Sequence, residues 1–256
     1  MLNQLRSIVP ILAFLTLWEF VARAKVFPQV VFPSFLTVLW QLVYLLVQGK
    51  LLVDIVTTTF RAVSGLTFAV VMGMTIGLSM VRFKLVNWFF EPVLAIGFPM
   101  PKITLIPVFI LWFGIGHTSK ILLVAFACFF PITLSTVAGA RGVDQHLIWS
   151  ARAMGSTERE IFWHVILPAS LPFIISGVRI TLPVSLIVAF VAEMIGGGGG
   201  LGYTLVYGYR YLETPTVFAV LLTVLTLGFL LDRMLLEGRN RLLLWEDDMP
   251  RESVYD

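Results

Sequence analysis

Apolar residues run along this chain in blocks of roughly bilayer length, and polar residues gather between them. The blocks fall at residues 8–21, 55–81, 88–113, 121–139, 171–195 and 216–236. A helix needs about 20 apolar residues to cross the hydrocarbon core, so the pattern predicts about six spanning helices. Residues 33–50 differ. Phe35, Leu36, Leu39, Val43 and Leu46 recur at helical spacing beside Trp40 and Tyr44. That spacing predicts a helix lying in the interface, with a seventh, poorly formed span as the alternative.

One polar island, residues 149–168, reads WSARAMGSTEREIFWHVILP. It predicts two short helices joined at Gly155. Asp144 suits the N-cap of the first, and Gly155 the position just past its end, where a positive φ favours a residue without Cβ. Thr157 and Glu160 have capping-box spacing and restart the helix. The first helix gathers Leu147, Ile148, Ala151 and Met154 on one face, the second Ile161, Phe162 and Val165, and Pro168 is expected to end it.

The chain is 58% hydrophobic and 13% charged, where a soluble domain carries about 25% charged residues. An all-α membrane protein follows, read as a single transmembrane domain over residues 1–256, with a cytoplasmic loop at about 140–170 and a charged tail at 245–256. The net charge of +3 is spread thinly, and no basic stripe with aromatic platforms points to nucleic acid. Cys128 is the one cysteine and reads as a small buried hydrophobe. His117, His146 and His164 lack metal-ligand spacing, so no metal is expected. No nucleophile–base–acid set and no Gly-x4-Gly-Lys-Ser/Thr loop occurs, so the chain is expected to be no enzyme and to bind no nucleotide itself. The first block resembles a signal peptide, with Ala22-Arg23-Ala24 at its end, but Pro10 and Glu19 interrupt it and Arg6 is its lone leading cation.

Lys and Arg set the expected orientation. With the N-terminus inside, Arg6, Arg82, Lys84, Arg141, Arg152, Arg159, Arg233, Arg239, Arg241 and Arg251 are cytoplasmic, and Arg23, Lys25, Lys50, Lys120 and Arg210 are outside. Both termini are then cytoplasmic, as is the polar island.

Within the blocks, Gly65, Ala69, Gly73 and Gly77 repeat every fourth residue, a small-residue face that admits a close neighbour, from this chain or from a second copy. Pro99, Pro101 and Pro107 break the third block around Lys102. Lys102, Arg179, Glu193 and Arg61 are costly in lipid, so each lines a solute route or serves as an anchor. The glycine run at 196–202 reads as a flexible outer loop that rearranges during gating or as a tight connection.

The polar island resembles the cytoplasmic EAA signature of binding-protein-dependent ABC importer permeases: Glu-Ala-Ala, three residues, Gly, nine residues, Ile-x-Leu-Pro. Gly155 takes the glycine position, Val165-Ile166-Leu167-Pro168 follows in register, Ala151 and Ser150 stand for the alanines, and Trp149 replaces the glutamate. Pro101-Lys102-Ile103, Pro107, the run from Leu111 to Gly116, Ala192-Glu193-Met194, Gly200-Leu201-Gly202-Tyr203 and Trp245 are similar to the nitrate, taurine and alkanesulfonate branch. The resemblance implies an inner-membrane homodimer, two cytoplasmic ATPases that bind ATP and Mg, a periplasmic or lipid-anchored solute-binding protein, and import of a small oxyanion or sulfonate by alternating access. Docking of the ATPase would fall on Trp149, Ser150, Ala151, Met154, Gly155, Ser156, Thr157, Glu158 and Arg159. The solute route would fall near Pro101, Lys102, Arg179, Glu193 and Arg61. A secondary transporter or channel without an ATPase is the alternative; a scaffold without transport fits the broken third block and the intramembrane charges less well.

Overall fold

Side chains that prefer lipid leave the backbone no partner but itself, and every regular element among the described residues is helical. The structure, a computed structural model, describes residues 2–24, 26–28 and 30–243. Lys25 and the tail at 245–256, with Trp245 and Arg251, lie outside them.

The elements are α1 (Leu2–Arg23), α2 (Phe35–Val47), α3 (Lys50–Arg82), α4 (Lys84–Gly97), a 3₁₀ turn (Lys102–Leu105), α5 (Ile106–Phe113), α6 (His117–Arg141) and α7 (Gln145–Ala153). After these come α8 (Glu158–Ile161), a π-turn (Phe162–Ile166), α9 (Leu167–Gly196), α10 (Leu201–Arg210) and α11 (Thr214–Leu242). Four continuous helices are long and apolar enough to cross a bilayer: Lys50–Arg82, His117–Arg141, Glu158–Gly196 and Thr214–Leu242. The pair Lys84–Gly97 and Lys102–Phe113 is apolar enough taken together but is bent by 93° at its break, the geometry of a broken span or a re-entrant loop. These account for the last five expected blocks, and α1 covers the first. The expected interfacial helix is α2, started by the Ser34 hydroxyl, which accepts from the Thr37 amide at 3.2 Å.

The described residues fall into two compact units, one holding those up to Thr59 together with Phe190–Leu227, the other Phe60–Ala189 and those from Gly228 on. In the first unit, Val38 and Leu45 of α2 pack with Leu51, Leu201, Ala219 and Val220. Trp18 closes this core: its ring meets Phe218 at 5.3 Å, and its indole donates to the Pro33 carbonyl at 3.0 Å.

In the second unit α6 is the central helix; 56% of its apolar stretch is buried, against 22–44% for the other continuous spans. Small residues let its neighbours close in. A Cβ at Gly65 would stand 2.6 Å from Val124, one at Gly73 2.9 Å from Ile132, and one at Gly77 2.8 Å from Thr136. Ala69, between them, is also buried. The four-residue register is therefore a seam within the chain, filled by α6. Gly97 of α4 packs on Phe130 of the same helix, and Gly177 of α9 on Ser135.

The second helix of the polar island does not stop at Pro168. It runs on through the π-turn into α9, and the Leu167 amide donates to the Phe162 carbonyl, one residue further back than in an α-helix. Proline clashes with the carbonyl four residues before it, here that of His164, and a widened turn relieves that clash without breaking the chain.

Candidate functional site

The polar island folds by local rules. Asp144 caps α7, its carboxylate accepting from the His146 amide at 2.8 Å. At the other end the Gly155 amide donates to the Arg152 carbonyl at 3.0 Å and the Ser156 amide to the Ala151 carbonyl at 3.1 Å. That pair of bonds is a Schellman ending, and it requires the left-handed conformation Gly155 adopts, with φ 86°. The chain restarts at once. The Thr157 hydroxyl accepts from the Glu160 amide, and the Glu160 carboxylate accepts from the Thr157 amide at 2.7 Å.

Across the glycine turn, Arg152 pairs with Glu158 at 2.9 Å. From the sequence Arg152 counts only as a cytoplasmic cation, although an Arg and a Glu flanking a glycine turn are there to be read as a pair. Ala151 and Ile161 point inward and are buried. Trp149, Met154 and Trp163 are exposed, Met154 to 79%. Ser150, Thr157, Glu158 and Arg159 are exposed as well, and Ser156 is half-buried. The result is a rigid, doubly capped helix pair that presents an aromatic and a thioether side chain outward. Such a surface fits a protein partner.

The broken span forms a second feature. Pro101 precedes the 3₁₀ turn in an extended conformation. Lys102 turns back: its ammonium donates to the Phe98 carbonyl and lies 5.5 Å from the Phe98 ring and 5.2 Å from that of Phe130. Arg179 of α9 pairs with Asp232 of α11 through two hydrogen bonds, at 2.8 and 3.2 Å. Arg61 is fully buried in α3. Lys102 and Arg179 thus belong to separate local arrangements, each with its own partners.

Glu193 is fully buried and belongs to a network that sequence reasoning did not assemble. Its Oε2 accepts from the Thr58 hydroxyl at 2.8 Å and from the Gly202 amide at 3.0 Å. Asp54 accepts from the Gly200 amide at 3.0 Å and from the Thr204 hydroxyl at 2.6 Å. The Leu201 amide donates to Thr58 at 2.9 Å. The first amides of α10, which have no partner inside the helix, are taken up by two carboxylates and a hydroxyl, and the negative charge suits the helix N-terminus. Gly197, Gly198, Gly199 and Gly200 all have positive φ, and a Cβ at Gly200 would overlap the Glu193 carboxylate. Of the two readings of the glycine run, this geometry is that of a tight connection.

Among the described residues no cluster of His, Cys, Asp and Glu fits a metal ion.

Comparison with known proteins places this arrangement. The family described as "Binding-protein-dependent transport system inner membrane component" matches residues 65–236. The taurine transport system permease protein of Escherichia coli is 31% identical over 248 residues, 95% of this chain and 90% of that protein. The formylaminopyrimidine transport permease protein of Halalkalibacterium halodurans is 30% identical over 249 residues, 96% of this chain and 98% of its own length. A solved chain of the MetNI methionine ABC transporter, in an inward-facing conformation, has the same fold, with a TM-score of 0.66 at 20% identity, covering 77% of this chain and 97% of that one. With apolar helices of spanning length, a proline-broken span and a match that runs from α3 into α11, this chain belongs to the binding-protein-dependent inner-membrane components, the permease subunits of ABC importers.

Proposed function

We propose that the chain imports a small oxyanion or sulfonate by alternating access, as a homodimer driven by two cytoplasmic ATPases. The observation that carries this reading is the exposed helix–Gly–helix element, with each helix capped at its start and with Trp149 and Met154 offered to a partner. A motor that closes on ATP needs a stiff lever to push, and a short element fixed by a Schellman ending, a capping box and an ion pair is one. ATP and Mg belong to the partner chains, and a solute-binding protein delivers the cargo.

In this reading both termini are cytoplasmic and the whole of residues 1–256 acts as one membrane domain. Solute passes near Pro101 and Lys102, with Arg179, Arg61 and Glu193 shaping the route. A sulfonate-bearing cargo is supported by cations set in apolar helices and by the taurine relative; the formylaminopyrimidine relative, at nearly the same identity, marks a cargo without a sulfonate as the competing outcome.

The test is reconstitution in vesicles with the cognate ATPase and binding protein. Uptake of a labelled sulfonate is expected to require ATP inside and loaded binding protein outside. Uptake driven by an ion gradient without ATPase would instead assign the chain to secondary transport, and uptake of a neutral pyrimidine alone would overturn the anionic cargo.

A further inference from the structure

Beside the π-turn, the end of α3 and the start of the Glu158–Gly196 span line a cavity of about 520 Å³. Met74, Leu78, Phe162 and Trp163 supply apolar wall, Arg82 and Arg159 bring two guanidinium groups, and no acidic residue among the described ones lines it. We propose that this cavity binds an anionic phospholipid, with the phosphate on Arg82 and Arg159 and the acyl chains along Met74, Leu78, Phe162 and Trp163.

Neither guanidinium is paired with a carboxylate among the described residues; Arg82 only lies over the Phe83 ring, at 6.0 Å. The acids beside Arg159 in sequence are committed elsewhere: Glu158 to Arg152, and Glu160 to Thr157. Two cations therefore share one cavity with no internal counter-charge. Guanidinium groups bind phosphate oxygens through paired N–H donors, which suits a phosphodiester better than a carboxylate-free pocket suits any neutral head group. Thr75 and Ser79 also line the cavity, but their hydroxyls donate to the Val71 and Thr75 carbonyls, at 2.7 and 2.6 Å. The ligand's anionic oxygens are thus left to the arginines.

The wall decides between a lipid and a free phosphate. An inorganic or sugar phosphate would satisfy the arginines and leave the aromatic and aliphatic wall wet. A phospholipid covers both parts. Trp163 and Phe162 stand at the end of spanning helices, where aromatic rings sit at head-group level, and basic pockets between such helices take anionic head groups. The π-turn contributes directly, because Phe162 and Trp163 are its first two residues. A lipid there would touch the element that joins the helix pair to α9.

The inference rests on the chain being a membrane permease but not on its coupling to an ATPase, so the two fail separately. The experiment measures lipid retention by the purified full-length chain. Native mass spectrometry is expected to show phosphatidylglycerol retained over phosphatidylcholine by about tenfold, from two cations near a membrane surface. Arg82→Gln with Arg159→Gln should abolish that preference, and the double Lys variant should keep most of it. Both arginines are exposed, so neither substitution opens the core. Acyl-brominated phosphatidylglycerol should quench tryptophan emission in the wild type and distinctly less in Trp163→Phe. Equal retention of the two lipids, or a preference that survives the double Gln variant, overturns the proposal. So does equal quenching in the Trp163 variant, which would put the lipid elsewhere. Displacement by glycerol phosphate at the same concentration as lipid would assign the arginines to a soluble phosphate and overturn it too.

Discussion

Gly155 and Gly73 are both glycines for which a side chain is forbidden, but the reasons differ. A Cβ at Gly155 would meet nothing within 4 Å, so the constraint is wholly the φ of 86°. A left-handed conformation costs an ordinary residue roughly 1 kcal/mol, and a β-branched one more. Gly155→Val should therefore leave the apolar spans inserted and folded while it tilts α8 and displaces the residues from Ser156 to Arg159. In vesicles, stimulation of the ATPase by loaded binding protein and solute uptake should fall together, with protein yield unchanged. Wild-type stimulation in that variant would show that coupling does not depend on the turn at Gly155. The glycine run before α10 has a third reason. There the carboxylate of Glu193 approaches the backbone so closely that Gly200 has no room for a side chain, and the loop is fixed by what it holds.

At the scale of elements, the small-residue stripe on α3 is a packing surface. A leucine at position 73 would need space already filled by Ile132 and by the backbone at Thr133. Overpacking of this kind costs about 1–3 kcal/mol. Gly73→Leu should lower the thermal unfolding midpoint of the purified chain in detergent, and dimer assembly should fail only as far as folding does. A variant with native stability that no longer pairs would move this stripe from the α3–α6 seam to a subunit interface. The elements also mark what could be read in advance. Asp144, Gly155, Thr157 and Glu160 each bond to a group within three residues, so spacing alone revealed both caps. Pro168 misled because the rule that proline ends a helix is also local, and a π-turn lets the helix pass. The four-residue stripe was legible as a seam, but its partner was not, since nothing in α3 says which helix will fill it. The network of Asp54, Thr58 and Glu193 was illegible for the same reason: its hydrogen bonds to the first turn of α10 and across to Glu193 join residues as many as 150 positions apart, and only Glu193 stood out in the sequence, as an isolated cost.

For the molecule as a transporter, the question is which intramembrane charges serve the solute and which serve the fold. Arg179 is the clearest case, because it has a partner that can be removed with it. Its two hydrogen bonds to Asp232 join α9 to α11, and both side chains are only partly exposed, at 44% and 33%. Removing one charge leaves the other without its partner where α9 meets α11. Arg179→Gln alone should therefore lower both yield and uptake, and that result would not separate the two roles. Arg179→Gln with Asp232→Asn removes both charges and leaves two amides able to hydrogen-bond across the same gap. That variant should recover the yield and unfolding midpoint of the wild type. If Arg179 also serves an anionic cargo, half-maximal uptake should still need a severalfold higher sulfonate concentration than in the wild type, while a neutral probe is unaffected. Wild-type sulfonate uptake in the well-expressed double variant would make Arg179 a structural anchor alone. The anionic route would then rest on Lys102, whose ammonium already lies between the Phe98 carbonyl and the Phe98 and Phe130 rings.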